Sequence, residues 1–170
     1  MNKTQQYLLG FFALLPAVLL KWQQRHWDTE DLFFLLYPVQ WLIGVFTGIQ
    51  GQYIAGEGYW FGTFIIEKSC AGLNFLLIVW CALAWLNLHN TRSWSIKAGV
   101  LLLSVPLSYL ICLLANTTRI VCALLVMRIP GMGGPSVHES VGVLVYLSIL
   151  LLTCTLFHHY LNDPKHANLA

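Results

Sequence analysis

Charge is what this sequence has least of. Only 9% of its 170 residues are charged, against about 25% in a soluble domain, so the chain cannot cover itself with polar surface. A net charge of +2 is too small to suggest a nucleic-acid partner. Cysteine occurs five times but never in a pattern: Cys70, Cys81, Cys112, Cys122 and Cys154 make no C-x-x-C and no zinc spacing. Their odd number argues against a complete disulfide framework, and nothing suggests a dithiol relay. His158 and His159 are adjacent, so on a helix they point about 100° apart and make a weak metal pair. No metal or cofactor is implied. There is no internal repeat, low-complexity segment or linker, so residues 1–170 read as a single integral-membrane domain.

What is present is apolar: 58% of residues are hydrophobic and 14% aromatic, with a mean hydropathy of +0.68. The apolar residues come in runs of membrane-spanning length rather than as amphipathic stripes. The expected fold is all-α, a polytopic transmembrane bundle of about five full spans plus one short re-entrant or interfacial helix. The spans are expected at Tyr7 to Leu20, Leu32 to Ile49, Leu73 to Leu88, Ala98 to Ala115 and Val137 to Tyr160. The first follows Lys3 and resembles a signal peptide, but no small-x-small cleavage site comes after it, so it is read as an uncleaved helix. Between spans two and three, Tyr59 to Ile66 is rich in aromatic and β-branched residues and is expected to be extended at the interface. Asn116-Thr117-Thr118-Arg119 is expected to end span four, leaving Ile120 to Ile129 as the short helix. Pro130 to Pro135 is a strong stop.

Loop charge gives an orientation. With Lys21 to Asp31, His89 to Lys97 and the C-terminal tail cytoplasmic, that face holds Lys21, Arg25, Arg92, Lys97 and Lys165. The other face holds Lys3, Lys68, Arg119 and Arg128, a slim excess by the positive-inside rule.

Cys70 stands where a polar step turns into a long apolar helix, at or just before its first turn. Helix N-terminal N–H groups and the nearby Lys68 favour a thiolate there. Ala71 and Gly72 leave room for a carbonyl to approach the sulfur. The competing reading, and the one adopted for the other four cysteines, is a small packing residue. Arg119 has apolar neighbours on its C-terminal side, which is costly unless the residue is paired or wet; snorkelling to the interface is its bland alternative. In this topology Cys70, Arg119 and His138 share one membrane depth on the outer face. An imidazole takes a thiol proton and returns one to a leaving amine. A guanidinium serves an oxyanion or clamps a carboxylate. Cys, His and Arg on separate segments therefore make a cysteine acyl-transfer site plausible.

Three segments in this order, Ser69-Cys70-Ala71-Gly72-Leu73-Asn74, Asn116-Thr117-Thr118-Arg119-Ile120 and His138-Glu139-Ser140-Val141-Gly142, resemble the signature motifs of the exosortase/archaeosortase family. The resemblance covers roughly residues 40 to 160, and the length is similar to the compact variants, such as the exosortase K type. Ala71 stands where family members often have Ser. The resemblance implies a multi-pass enzyme of the cytoplasmic (inner) membrane with its active site facing the periplasm or exterior. It implies a cysteine protease or transpeptidase that cleaves the C-terminal sorting signal of exported proteins. It also implies Cys70 as nucleophile, with Arg119 and His138 as catalytic partners; Asn116 and Ser69 are added as substrate-binding candidates. The partners expected are that sorting signal and the lipid bilayer. The alternative is a non-enzymatic membrane scaffold or carrier with a polar pocket. A rhomboid-like serine protease using Ser136 and His138 fails, because the two residues stand two apart on one segment.

Overall fold

The computed structural model describes residues 3–90, 94–130 and 135–162. The chain is mostly helical. Helix α1 runs Lys3–Gln23 and α2 Phe33–Thr47. A small sheet of β1 (Gln52–Ile54), β2 (Gly58–Trp60) and β3 (Ile65–Ile66) comes next. Helices α3 (Leu73–Asn90), α4 (Trp94–Met127) and α5 (Pro135–Asn162) complete the chain. The stop expected over Pro130 to Pro135 lies largely outside the described residues, as do the centre of the His89 to Lys97 loop and the C-terminal tail.

Three helices, not five, are long and apolar enough to cross a membrane among the described residues: those covering Lys68–Leu88, Lys97–Met127 and Ser136–Leu161. The expected span over Leu32 to Ile49 shrinks to a 15-residue helix. At 1.5 Å per residue that is roughly 22 Å, short of a hydrocarbon core of about 30 Å. The helix is stopped by Gly48, which takes the left-handed conformation and returns its N–H to the Gly44 carbonyl.

The second correction concerns α4. The polar Asn116-Thr117-Thr118-Arg119 step does not break it, and no separate short helix follows; one helix of 34 residues passes through. Two side chains explain the continuity. Thr118 Oγ1 bonds back to the Leu114 carbonyl at 2.8 Å, a local solution available inside a helix. Asn116 spends its amide on other segments (below). With α4 continuous, the N-terminus of α3, the C-terminus of α4 and the N-terminus of α5 come to one end by alternation, and no re-entrant piece is needed.

The stretch from Tyr59 to Ile66 is extended only in part. It folds into a hairpin at Phe61–Phe64, where the Phe61 N–H meets the Phe64 carbonyl at 2.9 Å and the two rings stack at 4.7 Å. The sheet is antiparallel in the order β1-β2-β3, with Tyr53 opposite Tyr59 and Tyr59 opposite Ile66.

The described residues cluster into two compact units. One holds the chain up to Arg25, Asn74–Ile111 and the chain from Leu150; the other holds His26–Leu73 and Cys112–Ile149. Within the first, Lys21 Nζ donates to Asn74 Oδ1 at 2.5 Å, so the C-terminal end of α1 lies beside the first turn of α3. Within the second, α2 packs on β2, with Leu35, Leu36, Val39 and Ile43 buried on one side of the helix beside Tyr59, Phe61 and Ile66. Truncating such a buried leucine or isoleucine to alanine costs about 2–5 kcal/mol. The Lys68 ammonium bonds the Trp27 carbonyl in the same unit. These contacts put the Lys21 to Asp31 loop at the Cys70 end of the chain, not opposite it.

Candidate active site

Cys70, Asn116, Arg119, His138 and Tyr146 all belong to the second unit. Cys70 ends a 3-10 turn over Lys68–Cys70, three residues before α3 begins. Its own N–H is used by the Glu67 carbonyl at 2.8 Å. The Lys68 ammonium, expected to add charge near the sulfur, bonds the Trp27 carbonyl. Gly72 also does something other than expected. Its φ of +76° suits glycine, and a Cβ there would meet the Asn116 amide at 3.2 Å and Cys112 Sγ at 3.3 Å. The missing side chain makes room for α4 rather than for a substrate. Cys112, fully buried as expected of a packing residue, also donates its S–H to the Gly72 carbonyl at 3.4 Å.

A chain of side-chain bonds ties this turn to α4 and α5. Asn116 Nδ2 donates to the Cys70 carbonyl at 2.5 Å. The Tyr146 hydroxyl donates to Asn116 Oδ1 at 2.8 Å, and Arg119 Nη1 donates to that hydroxyl at 3.3 Å. The guanidinium also lies over the Tyr146 ring, 5.4 Å from its centroid. Asn116, expected to meet substrate, is fully buried with both ends of its amide occupied. Its place is structural: it fixes the Cys70 carbonyl to the helix that carries Arg119.

Ser69 is exposed. Its hydroxyl donates to Glu67 Oε1 at 2.8 Å and stands 3.7 Å from Cys70 Sγ. His138 is half-buried, and its Nδ1 is enclosed without a hydrogen-bond partner. No hydrogen bond among the described residues joins it to Cys70 or Arg119. Its direction follows from the helix. His138, Gly142 and Tyr146 stand at i, i+4 and i+8 and share one face of α5. Two of the three meet Arg119: Tyr146 through its hydroxyl, and Gly142 so closely that an added Cβ would sit 2.8 Å from Arg119 Nε. That Nε is likewise buried without a partner. The structure thus joins Cys70, Asn116, Tyr146 and Arg119 by hydrogen bonds, and His138 shares the α5 face that carries Gly142 and Tyr146.

Two participants were missed in the sequence. Tyr146 sits among apolar residues and reads as a packing aromatic; its signal was the four-residue spacing from His138 through Gly142. Glu67 lies just outside the Ser69 to Asn74 motif. Against known proteins, the chain matches no family model, no curated protein and no solved structure.

Proposed function

We propose that the chain is a membrane-embedded cysteine peptidase or transpeptidase, with Cys70 as nucleophile, His138 as proton carrier and Arg119 as anion clamp. The observation that carries this reading is the hydrogen-bonded path from the Cys70 carbonyl through Asn116 and Tyr146 to Arg119. Through these bonds polar side chains of α4 and α5 are joined to the turn that carries Cys70, whose sulfur stands 3.7 Å from the Ser69 hydroxyl. Arginine has five N–H donors, and the structure commits one of them, so most remain for a tetrahedral oxyanion or a substrate carboxylate.

In the reaction, the Cys70 sulfur adds to a peptide carbonyl and its proton passes to His138. Negative charge collects on the carbonyl oxygen, where a guanidinium is worth most in a water-poor site. Collapse expels the amine, which takes the proton from His138, and the thioester is resolved by water or another nucleophile. The substrate is the C-terminal sorting signal of an exported protein, cut on the outer face of the cytoplasmic membrane.

The test is processing of a protein bearing such a signal by the Cys70→Ser and Cys70→Ala variants, with intact-cell labelling by a membrane-impermeant thiol reagent. Processing should fall by orders of magnitude in both, and the reagent should reach Cys70 and not the other four cysteines. Near-normal processing in Cys70→Ala returns the chain to a scaffold or carrier, and labelling only after permeabilisation overturns the orientation. For His138→Ala, Cys70 should alkylate more slowly at neutral pH and recover as pH rises, because a thiol without its base still ionises in alkali.

A further inference from the structure

We propose that α2 lies in the plane of the membrane surface, with its Phe33, Tyr37, Trp41 and Val45 face seated in lipid. These stand at i, i+4, i+8 and i+12, so they form one stripe. Every one is exposed, Trp41 by 58% and Val45 by 62%, while the buried Leu35, Leu36, Val39 and Ile43 take the opposite side. The helix carries no charged residue. A contiguous run of exposed apolar side chains marks an interaction surface.

The occupant follows from where the helix starts and where the chain goes after it. Lys68, two residues before Cys70, bonds the Trp27 carbonyl just ahead of α2, so α2 begins at the level where α3 begins. Beyond Gly48 the chain doubles back. The Tyr53 hydroxyl reaches Glu30, on the N-terminal side of α2, at 3.4 Å, and β2 packs against α2. A helix standing upright in the bilayer would carry this sheet in with it. An open three-stranded sheet leaves edge N–H and C=O groups that hydrocarbon cannot satisfy, and Glu57 stands exposed at its first turn. A helix projecting into water would leave the aromatic stripe wet. Lying flat satisfies both constraints, because Tyr and Trp rings suit the headgroup level and an interfacial helix buries its apolar face by about 5–10 Å. The lipid surface that meets α3, α4 and α5 then continues under α2.

The inference stands apart from any chemistry at Cys70, and its test uses the full chain in membranes. Asp28→Cys and Glu57→Cys, on either side of α2 in sequence, should both react with an impermeant maleimide added to the same face. Reaction from opposite faces would mean that α2 crosses, and would overturn the proposal. A benzophenone side chain placed at Trp41 should give lipid adducts on irradiation, and the same group at Leu36 should give adducts within the chain. Adducts from position 41 to a second protein, or none to lipid, would equally overturn it. Because labelling and photochemistry fail for different reasons, one misfolded variant cannot decide the outcome.

Discussion

Asn87 and Asn116 are both completely buried in apolar helices, and each is linked to a cation on α4. In the first unit, Asn87 Nδ2 donates to the Lys97 carbonyl at 2.9 Å, and Lys97 Nζ donates to the Leu88 carbonyl at 3.0 Å. These two bonds end on backbone. The ammonium sits on a carbonyl of the last turn of α3, where a cation is favoured by the helix dipole. In the second unit, the Asn116 amide links Cys70 to Tyr146, and the chain runs on to Arg119. There the buried Arg119 Nε and His138 Nδ1 are left without partners. A polar cluster spent on backbone closes a connection between helices. One that leaves buried polar atoms over invites another explanation, and chemistry is the one proposed.

Arg119→Lys tests that difference most sharply. Lysine keeps the charge but loses the planar fork and the donors that remain after Tyr146 is served. Loss of one donor to an oxyanion costs about 10²–10³ in rate, so processing should fall by that much. Stability should not fall with it, since the substitution also removes a buried N–H that has no partner. The matching change at Arg128, which is exposed beside a turn, should be mild. Equal small losses at both positions would reduce Arg119 to a membrane anchor.

Two glycines give a smaller contrast. An alanine at Gly142 puts its Cβ 2.8 Å from Arg119 Nε and 3.4 Å from its Cδ. The guanidinium must shift, and overpacking of this kind costs about 1–3 kcal/mol, so processing should drop roughly tenfold or somewhat more. Gly99, on α4 in the other unit, has nothing within 4 Å of an added Cβ. Gly99→Ala should be neutral or slightly stabilising, since alanine is favoured over glycine in a helix by about 1 kcal/mol. If the two variants process substrate alike, the packing of Gly142 on Arg119 has no part in activity.

Much of this was legible in the sequence because the signals were local. The start of α3 follows from a polar step before an apolar run, and that of α5 from its apolar run, to within two residues of Pro135, where the helix begins. Cys70, Asn116 and Arg119 stand in short motifs whose polar residues interrupt apolar surroundings. The rest was set by contacts between distant segments. A polar quartet looks like a helix break until Asn116 is seen to bond Cys70 and Thr118 to bond Leu114. Nothing within Leu32 to Ile49 says that its helix will be only 15 residues long; Gly48 ends it, and Tyr53 returns to Glu30. The bond from Lys68 to Trp27, far earlier in the chain, has no local signal either.

The smallest effect on chemistry is expected at Asn87. Asn87→Ala removes a bond to the Lys97 carbonyl inside an apolar unit, and a buried polar partner lost in this way costs about 1–3 kcal/mol. Thermal unfolding in detergent should register that loss. Alkylation of Cys70 and processing by the surviving folded protein should not change, because Asn87 and the Lys97 carbonyl it bonds belong to the unit that does not hold Cys70. Asn116→Ala costs a similar bond but frees the Cys70 carbonyl and takes from Tyr146 the acceptor of its hydroxyl proton. It should therefore slow both processing and alkylation at a comparable loss of stability. The comparison holds only if the two asparagines separate in this way: equal stability losses with unequal chemistry. Should Asn87→Ala slow Cys70 as much as Asn116→Ala does, the polar cluster around Cys70 is no more specialised than the one that joins α3 to α4.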